Sequence, residues 1–171
     1  MTLSKIKQRL FGILTIIAIA LIWVLLNAQV AIAQDSAVNY TYSEIRQQDF
    51  SHKNLVGGVF AAADARGSNF EGSDVSNSIL TKAIFINTNL KDSNFTSSLM
   101  DRVSFENSDL TNAIFRDAVA TSTNFEGATI TGADFSDAIL DRYQIYQMCK
   151  RAEGTNPTTG VETRYSLGCR D

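Results

Sequence analysis

Histidine occurs once, proline once and cysteine twice in this 171-residue chain. His52 has no second histidine or cysteine at metal-ligand spacing, and none of the many serines has a partner imidazole to activate it as a nucleophile. Basic residues are also scarce beyond the N-terminus: residues 34–171 hold all 18 acidic residues against 12 basic ones. That balance excludes a nucleic-acid binder working through overall positive charge. No D-x-D-x-D-G loop or glycine-rich nonapeptide is present, so Asp92 and Asn112 offer at most a weak calcium site. Asp134 with Asp137, and Asp137 with Asp141, are expected on solvated turns, where carboxylate repulsion is weak. The length leaves room for one domain of ordinary size. Nothing here assembles a catalytic centre or a cofactor site.

The first 33 residues differ in kind. Lys5, Lys7 and Arg9 precede an uncharged apolar run, Leu10 to Leu26, and Ala31-Ile32-Ala33 follows shortly after. A basic start, an apolar middle and an A-x-A site make a cleavable signal peptide over residues 1–33, cut between Ala33 and Gln34. No Arg-Arg pair precedes the run, which favours Sec-type over twin-arginine export. The alternative is a retained anchor, because an apolar run of this length is just enough to span a bilayer. After cleavage no stable membrane insertion is expected. Export to an oxidising compartment would let Cys149 and Cys169 pair.

Internal periodicity decides the architecture. Every fifth residue from Phe50 to Ile145 is apolar, and the register includes nine of the ten phenylalanines. An amphipathic helix repeats at 3.6 and a simple strand at 2, so neither fits. Two positions before each central residue the side chain is small, as at Ser68, Ala83, Ser98 and Ala133. Residues two apart on extended chain point the same way, so each unit sends one small and one large side chain inward and turns on the rest. Asn, Asp, Gly and Ser fill many of the outward positions, as turns prefer.

Two further ladders select the number of sides. Phenylalanine recurs every ten residues from Phe85 to Phe135, which in a four-sided coil stacks Phe95, Phe115 and Phe135 on one wall. Phe85, Phe105 and Phe125 then stack on another. Among outward positions, Val59, Ile79, Leu99, Val119 and Ile139 recur every twenty residues and are all apolar, whereas Asp49, Asn69, Asn89, Asp109 and Thr129 are all polar. A twenty-residue period explains both ladders, and a fifteen-residue period explains neither. The apolar ladder is the candidate partner surface, since contiguous exposed apolar strips mark interaction sites.

The units Ser93-Asn94-Phe95, Ser108-Asp109-Leu110 and Ala133-Asp134-Phe135 resemble the A-(D/N)-(L/F)-x-x unit of the pentapeptide-repeat family. That resemblance implies an all-β solenoid: a right-handed quadrilateral β-helix of about five coils over residues 48–142, roughly 24 Å long. Residues 34–47 would form an N-terminal cap or linker. Residues 143–171 are expected to be a short C-terminal α-helical cap. There Asp141 can N-cap, Ile145, Met148, Cys149 and Ala152 form one stripe, and Gly154 sits where a C-cap glycine belongs. A Cys149–Cys169 disulfide would staple this cap. The tail, with Asn156-Pro157-Thr158-Thr159-Gly160 and its closing cysteine, resembles pentapeptide-repeat proteins of the thylakoid lumen in plants and cyanobacteria. With a bacterial-type leader this implies a cyanobacterial lumenal or periplasmic member.

The functional expectation is an exported, non-enzymatic interaction module, monomeric, with a protein partner and no nucleic acid. Two alternatives remain: a weak metal or small-ligand binder, and a DNA-mimic regulator of a topoisomerase. Residues 49–141 carry 13 acids and 6 bases, about half the charge of a DNA duplex of equal length at one charge per ~1.7 Å.

Overall fold

The computed structural model describes residues 13–23 and 37–170, and the expected cleavage point, Ala33 and Gln34, lies outside the described residues. The chain divides into two compact units at Ser36. In the first, residues 13–23 form helix α1. No helix among the described residues is long and apolar enough to cross a membrane.

Residues 39–140 of the second unit form a solenoid in which one residue in each five bridges to its counterpart twenty positions away. Parallel bridges join Asn39 to Val59, Val59 to Ile79 and Ile79 to Leu99, and the same spacing recurs in columns that begin at Glu44, Asp49 and Asn54. Four columns at a twenty-residue repeat give four walls, as the two ladders in the sequence require. Among the described residues the only two-residue strands are β1 (Val119–Ala120) and β2 (Ile139–Leu140), paired in parallel. Elsewhere the chain turns before a second residue can pair, so the sheet on each wall is a column of single bridges.

Most turns follow one pattern. The amide three residues after a central residue returns to its carbonyl, as Lys53 N–H does to Phe50 at 3.3 Å and Ala63 N–H to Phe60 at 3.0 Å, while Gln48, Ser78 and Thr88 N–H donate to the Oγ of Ser68, Ser98 and Ser108 in the next coil. The second residue after the centre has positive φ: His52 at 55°, Ala62 at 54°, Asn87 at 55°. That is the signature of a type II turn, for which Gly and Asn are the usual occupants. Here Lys82 and Arg102 adopt it too. Hydrogen bonds to the next coil hold such residues in a region costing about 1–3 kcal/mol each.

The core is a pile of rings. Phe95 stacks on Phe115 at 5.1 Å and 6°, and Phe115 on Phe135 at 5.0 Å and 3°. Phe85, Phe105 and Phe125 form the facing column, with centroids 5.5 and 5.4 Å apart. The two columns meet edge to face across the middle, as Phe105 and Phe115 do at 5.8 Å and 75°. Such pairs add about 0.5–1.5 kcal/mol beyond the area they bury. All these rings are fully buried. Nearer the N-terminus the aromatic columns occupy the other two walls, Tyr40 with Phe60 and Phe50 with Phe70. The switch comes at Phe70 and Phe85, which touch edge to face at 5.4 Å.

The small inward positions do more than save space. Ser68 Oγ donates to the Ile45 carbonyl at 2.6 Å, Ser98 Oγ to Val75 at 2.8 Å and Thr88 Oγ1 to Ala65 at 3.0 Å. Ser108 and Thr123 make the same bond to Phe85 and Met100. These five hydroxyls are satisfied by the previous coil and tie two coils together, whereas Ser73 and Ser93 bond within their own turns, to Phe70 at 2.8 Å and Leu90 at 2.6 Å.

The coils begin earlier than residue 48. The resemblance makes 34–47 a cap or linker, yet within it Tyr40 N–H donates to Val59 at 2.7 Å and Ile45 N–H to Asp64 at 2.9 Å. Tyr40 and Ile45 extend the five-residue register backward from Phe50, and pairing follows wherever that register holds.

Phe105 touches Phe85, Phe95, Phe115 and Phe125. Replacing it with Asp places a charge among four rings, with an expected loss above about 4 kcal/mol. A thermal melt followed by circular dichroism should show the middle coils unfolded, and a wild-type melt would contradict this packing.

Candidate functional site

The residue before each central position decides what its wall presents. Wherever that residue is Asp or Asn, its Oδ1 accepts the amide two residues on: Asp49 from Ser51 at 3.0 Å, Asn94 from Thr96 at 3.1 Å, Asn124 from Glu126 at 2.9 Å. This N–H has no backbone acceptor in the coil, so the side chain supplies one. Such a bond contributes about 0.5–1.5 kcal/mol.

One wall forgoes it in five successive coils. Val59, Ile79, Leu99, Val119 and Ile139 occupy that position, aligned by consecutive bridges. The amides of Ala61, Thr81, Asp101, Thr121 and Asp141 accordingly have no side-chain acceptor among the described residues. Ile79, Leu99 and Ile139 are 40%, 48% and 57% exposed, and Val59 and Val119 are partly buried. The column spans about 19 Å at the spacing of paired strands. Ile84 and Ile114 are isolated apolar residues on other walls, each bridged to polar neighbours.

The C-terminal end is closed by helix α2 (Arg142–Cys149), a turn, and helix α3 (Thr163–Ser166). Cys149 and Cys169 are bonded, with Cα atoms 5.6 Å apart. The cap replaces the coil that would have come next. Arg151 donates from Nε to the Ala128 carbonyl at 3.1 Å and from Nη2 to Phe125 at 2.6 Å. Asn156 is fully buried, and its Nδ2 donates to the carbonyls of Asn112 and Gly132, each at 2.9 Å. Its Oδ1 accepts from Thr158 and Thr159. Gly132 N–H goes to Glu153 at 2.8 Å, and Phe135 N–H to Ser166 Oγ at 3.0 Å.

Several sequence expectations change here. Asp134 is not on a solvated turn: it is 0% exposed, on the wall that the tail crosses. Its Oδ1 accepts from Ser136, and its Oδ2 has no partner among the described residues. Asp141 sits at the N-cap position of α2 without capping it, and its carboxylate takes the Ser122 N–H at 2.6 Å. Gly154 is not a C-cap, because α2 ends at Cys149 with Lys150 as its C-cap. It lies against the last coil, where an added Cβ would come within 2.9 Å of the Gly132 nitrogen. Asn156-Pro157 does not merely stop a helix, since Asn156 plugs the end of the stack. Only tertiary structure gives Arg151 and Asn156 these roles, and no spacing in the sequence marks them.

The remaining candidates take modest places. His52 is an exposed turn residue whose ring lies over Gly72, where a Cβ would meet Nδ1 at 2.5 Å. Asn112 Nδ2 donates to Asp92 Oδ1 at 3.0 Å, so the two hydrogen-bond each other. No cluster of three or more metal-ligating side chains occurs among the described residues. At the N-terminal end Asp64 sits between Arg46 and Arg66, with both Nη2 atoms 2.6 Å from its Oδ2. The hydrogen bond from Arg66, then that from Arg46, holds its carboxyl well below the ordinary value against the opposing effect of burial.

A model of the family described as Pentapeptide repeats matches in eight copies, over residues 49–81, 59–96 and 98–137. Over 31 residues, 18% of this chain and 11% of the relative, the sequence is 58% identical to Thylakoid lumenal protein TL20.3, chloroplastic, of Arabidopsis thaliana. Among crystal structures, HetL of the cyanobacterium Nostoc sp., a pentapeptide repeat protein involved in heterocyst differentiation regulation, is similar with a TM-score of 0.59. Identity there is 17%, covering 61% of this chain and 49% of HetL. A pentapeptide repeat protein from the Arabidopsis thaliana thylakoid lumen is 31% identical over 80% of this chain and 88% of its own, with a TM-score of 0.37. The chain therefore spans about a tenth of TL20.3 and about half of HetL.

Two outcomes follow. Asn156→Ala removes two buried donors from stacked carbonyls and should cost about 2–3 kcal/mol in a urea melt. For Asp64, a lowered folded value means its stabilisation is fully present above the ordinary carboxylate value of 3.8 and decays as pH falls below it. Wild type should be more stable than Asp64→Asn at pH 6, with the gap closing progressively toward pH 2. A pH-independent gap in paired urea melts would contradict the ion-pair assignment.

Proposed function

Because this chain belongs to the pentapeptide-repeat family, we propose that it is an exported, non-enzymatic solenoid presenting one flat apolar wall to a partner protein in the thylakoid lumen or periplasm. The proposed mature molecule is a right-handed quadrilateral β-helix of about five coils with a short C-terminal helical cap, released by cleavage after Ala33. The lumenal relative supports the address.

The observation carrying the docking role is the wall of Val59, Ile79, Leu99, Val119 and Ile139. Strand propensity alone does not account for it. All four walls repeat the same coil, yet Asp or Asn fills four of five such positions on two of the others and two of five on the third, and supplies a hydrogen bond that the apolar residues lack. The substitution weakens each turn slightly and gains only an exposed apolar strip, the form a partner surface takes. Nor can residues 39–47 fold back over it, since they are paired into the first coil.

Leu99→Asp with Val119→Asp should leave the thermal melt near wild type, because both side chains point outward. The same pair should abolish co-purification of the tagged protein with its partner from thylakoid and periplasmic fractions. Retained co-purification by a folded double variant would remove the wall from consideration.

A further inference from the structure

At the C-terminal edge of the stack the cap supplies partners for Ala128, Gly132 and Phe135, whereas other backbone groups that would pair with another coil, Ile130 N–H and Asp137 N–H among them, have none among the described residues. One such stretch borders a cavity. In the preceding coils Phe85 and Phe105 donate their N–H to Ser104 and Asn124, each at 2.8 Å, and Asn87 and Asn107 donate to Glu106 and Glu126 at 3.0 and 2.9 Å. The equivalent donors in the last coil are Phe125 N–H and Gly127 N–H. Their acceptors would be residues 144 and 146, but these belong to α2, whose interior carbonyls bond along the helix axis. Neither amide has a partner among the described residues.

A cavity of about 200 Å³ opens at this place, lined by Phe125, Gly127, Glu126, Tyr143, Gln147 and Arg151 among others. The guanidinium of Arg151 is half-buried, and no carboxylate lies within ion-pair distance of it among the described residues. It donates three N–H groups to the carbonyls of Ala128, Phe125 and Gln147. A guanidinium has five, so two remain. A partly desolvated cation without a counter-ion is costly, and burial pulls the Arg151 pKa down.

We propose that this cavity binds a carboxylate monoanion, held by the N–H groups of Phe125 and Gly127 and by the remaining hydrogen on each Nη of Arg151. Charge-assisted N–H donors beside two backbone amides suit the two oxygens of a carboxylate. Glu126, on the same rim, carries a negative charge that opposes a dianion such as phosphate. The carboxylate could come from a small acid or from the C-terminus of a peptide, and the chemistry is the same in both.

The test uses the full-length ¹⁵N-labelled protein, titrated with acetate at constant ionic strength set by chloride. A parallel arm uses acetyl-Ala-Ala with a free C-terminus against its C-terminal amide. Saturable shifts confined to the Phe125 and Gly127 amides and the Arg151 side chain are expected with acetate and the free-acid peptide, and none with the amide. Tighter binding of the peptide than of acetate identifies a chain end as the source, and equal binding a small acid. Because Arg151 also holds the cap, the deciding variant is Glu126→Gln, which touches no cap bond. It should tighten acetate binding roughly five- to tenfold and admit phosphate. Unsaturated shifts spread over the surface, or no change in Glu126→Gln, would overturn the assignment.

Discussion

The solenoid depends on each coil meeting the next one twenty positions later. Backbone bonds between coils run up all four walls, and the same spacing puts one phenylalanine flat on another. The two requirements reinforce each other. Ring stacking at 5.0–5.5 Å is compatible with a strand spacing near 4.8 Å, so the core needs no distortion to fill. Ser68 and Ser98 add a third tie through bonds to carbonyls in the previous coil. Turns that force Lys82 and Arg102 into positive φ are tolerated because so many bonds over-determine the path.

Given that redundancy, the walls are free to differ. Where Asp or Asn precedes the central residue, the side chain completes its own turn. Where Val, Ile or Leu does, the turn loses an acceptor and the surface gains an apolar strip. A rod held together from inside can tolerate that exchange in five successive coils of one wall without disturbing the core, a separation of stability from surface that the proposed docking role would use.

The ends are where such redundancy fails, since an end coil has neighbours on one side only. The C-terminal cap meets the problem with side chains in place of strands. Arg151 gives Ala128 the donor that the next coil's backbone would have supplied and gives Phe125 one in the place where Ser108 Oγ serves Phe85, Asn156 spans two stacked carbonyls, and Ser166 accepts one amide. The substitution is incomplete at Phe125 and Gly127. That shortfall, beside an unpaired guanidinium, gives the cavity its polar character.

Period and composition determined the solenoid, its four walls, the pairing of phenylalanines and the alignment of Val59 through Ile139, because in a regular coil a residue's place in space follows from its number. The same rule would have reached Tyr40 and Ile45. Cys149 and Cys169, the only two cysteines, were legible as a pair. What tertiary structure alone decided lies where the period stops. Asp134 repeats the turn pattern of its wall, yet is buried because the tail crosses over it. Asp141 and Gly154 occupy helix-signal positions, yet serve the last coil. The tasks of Arg151 and Asn156 depend on which carbonyls the final coil leaves open, and local sequence cannot encode the position of an edge that is formed only when the stack is complete.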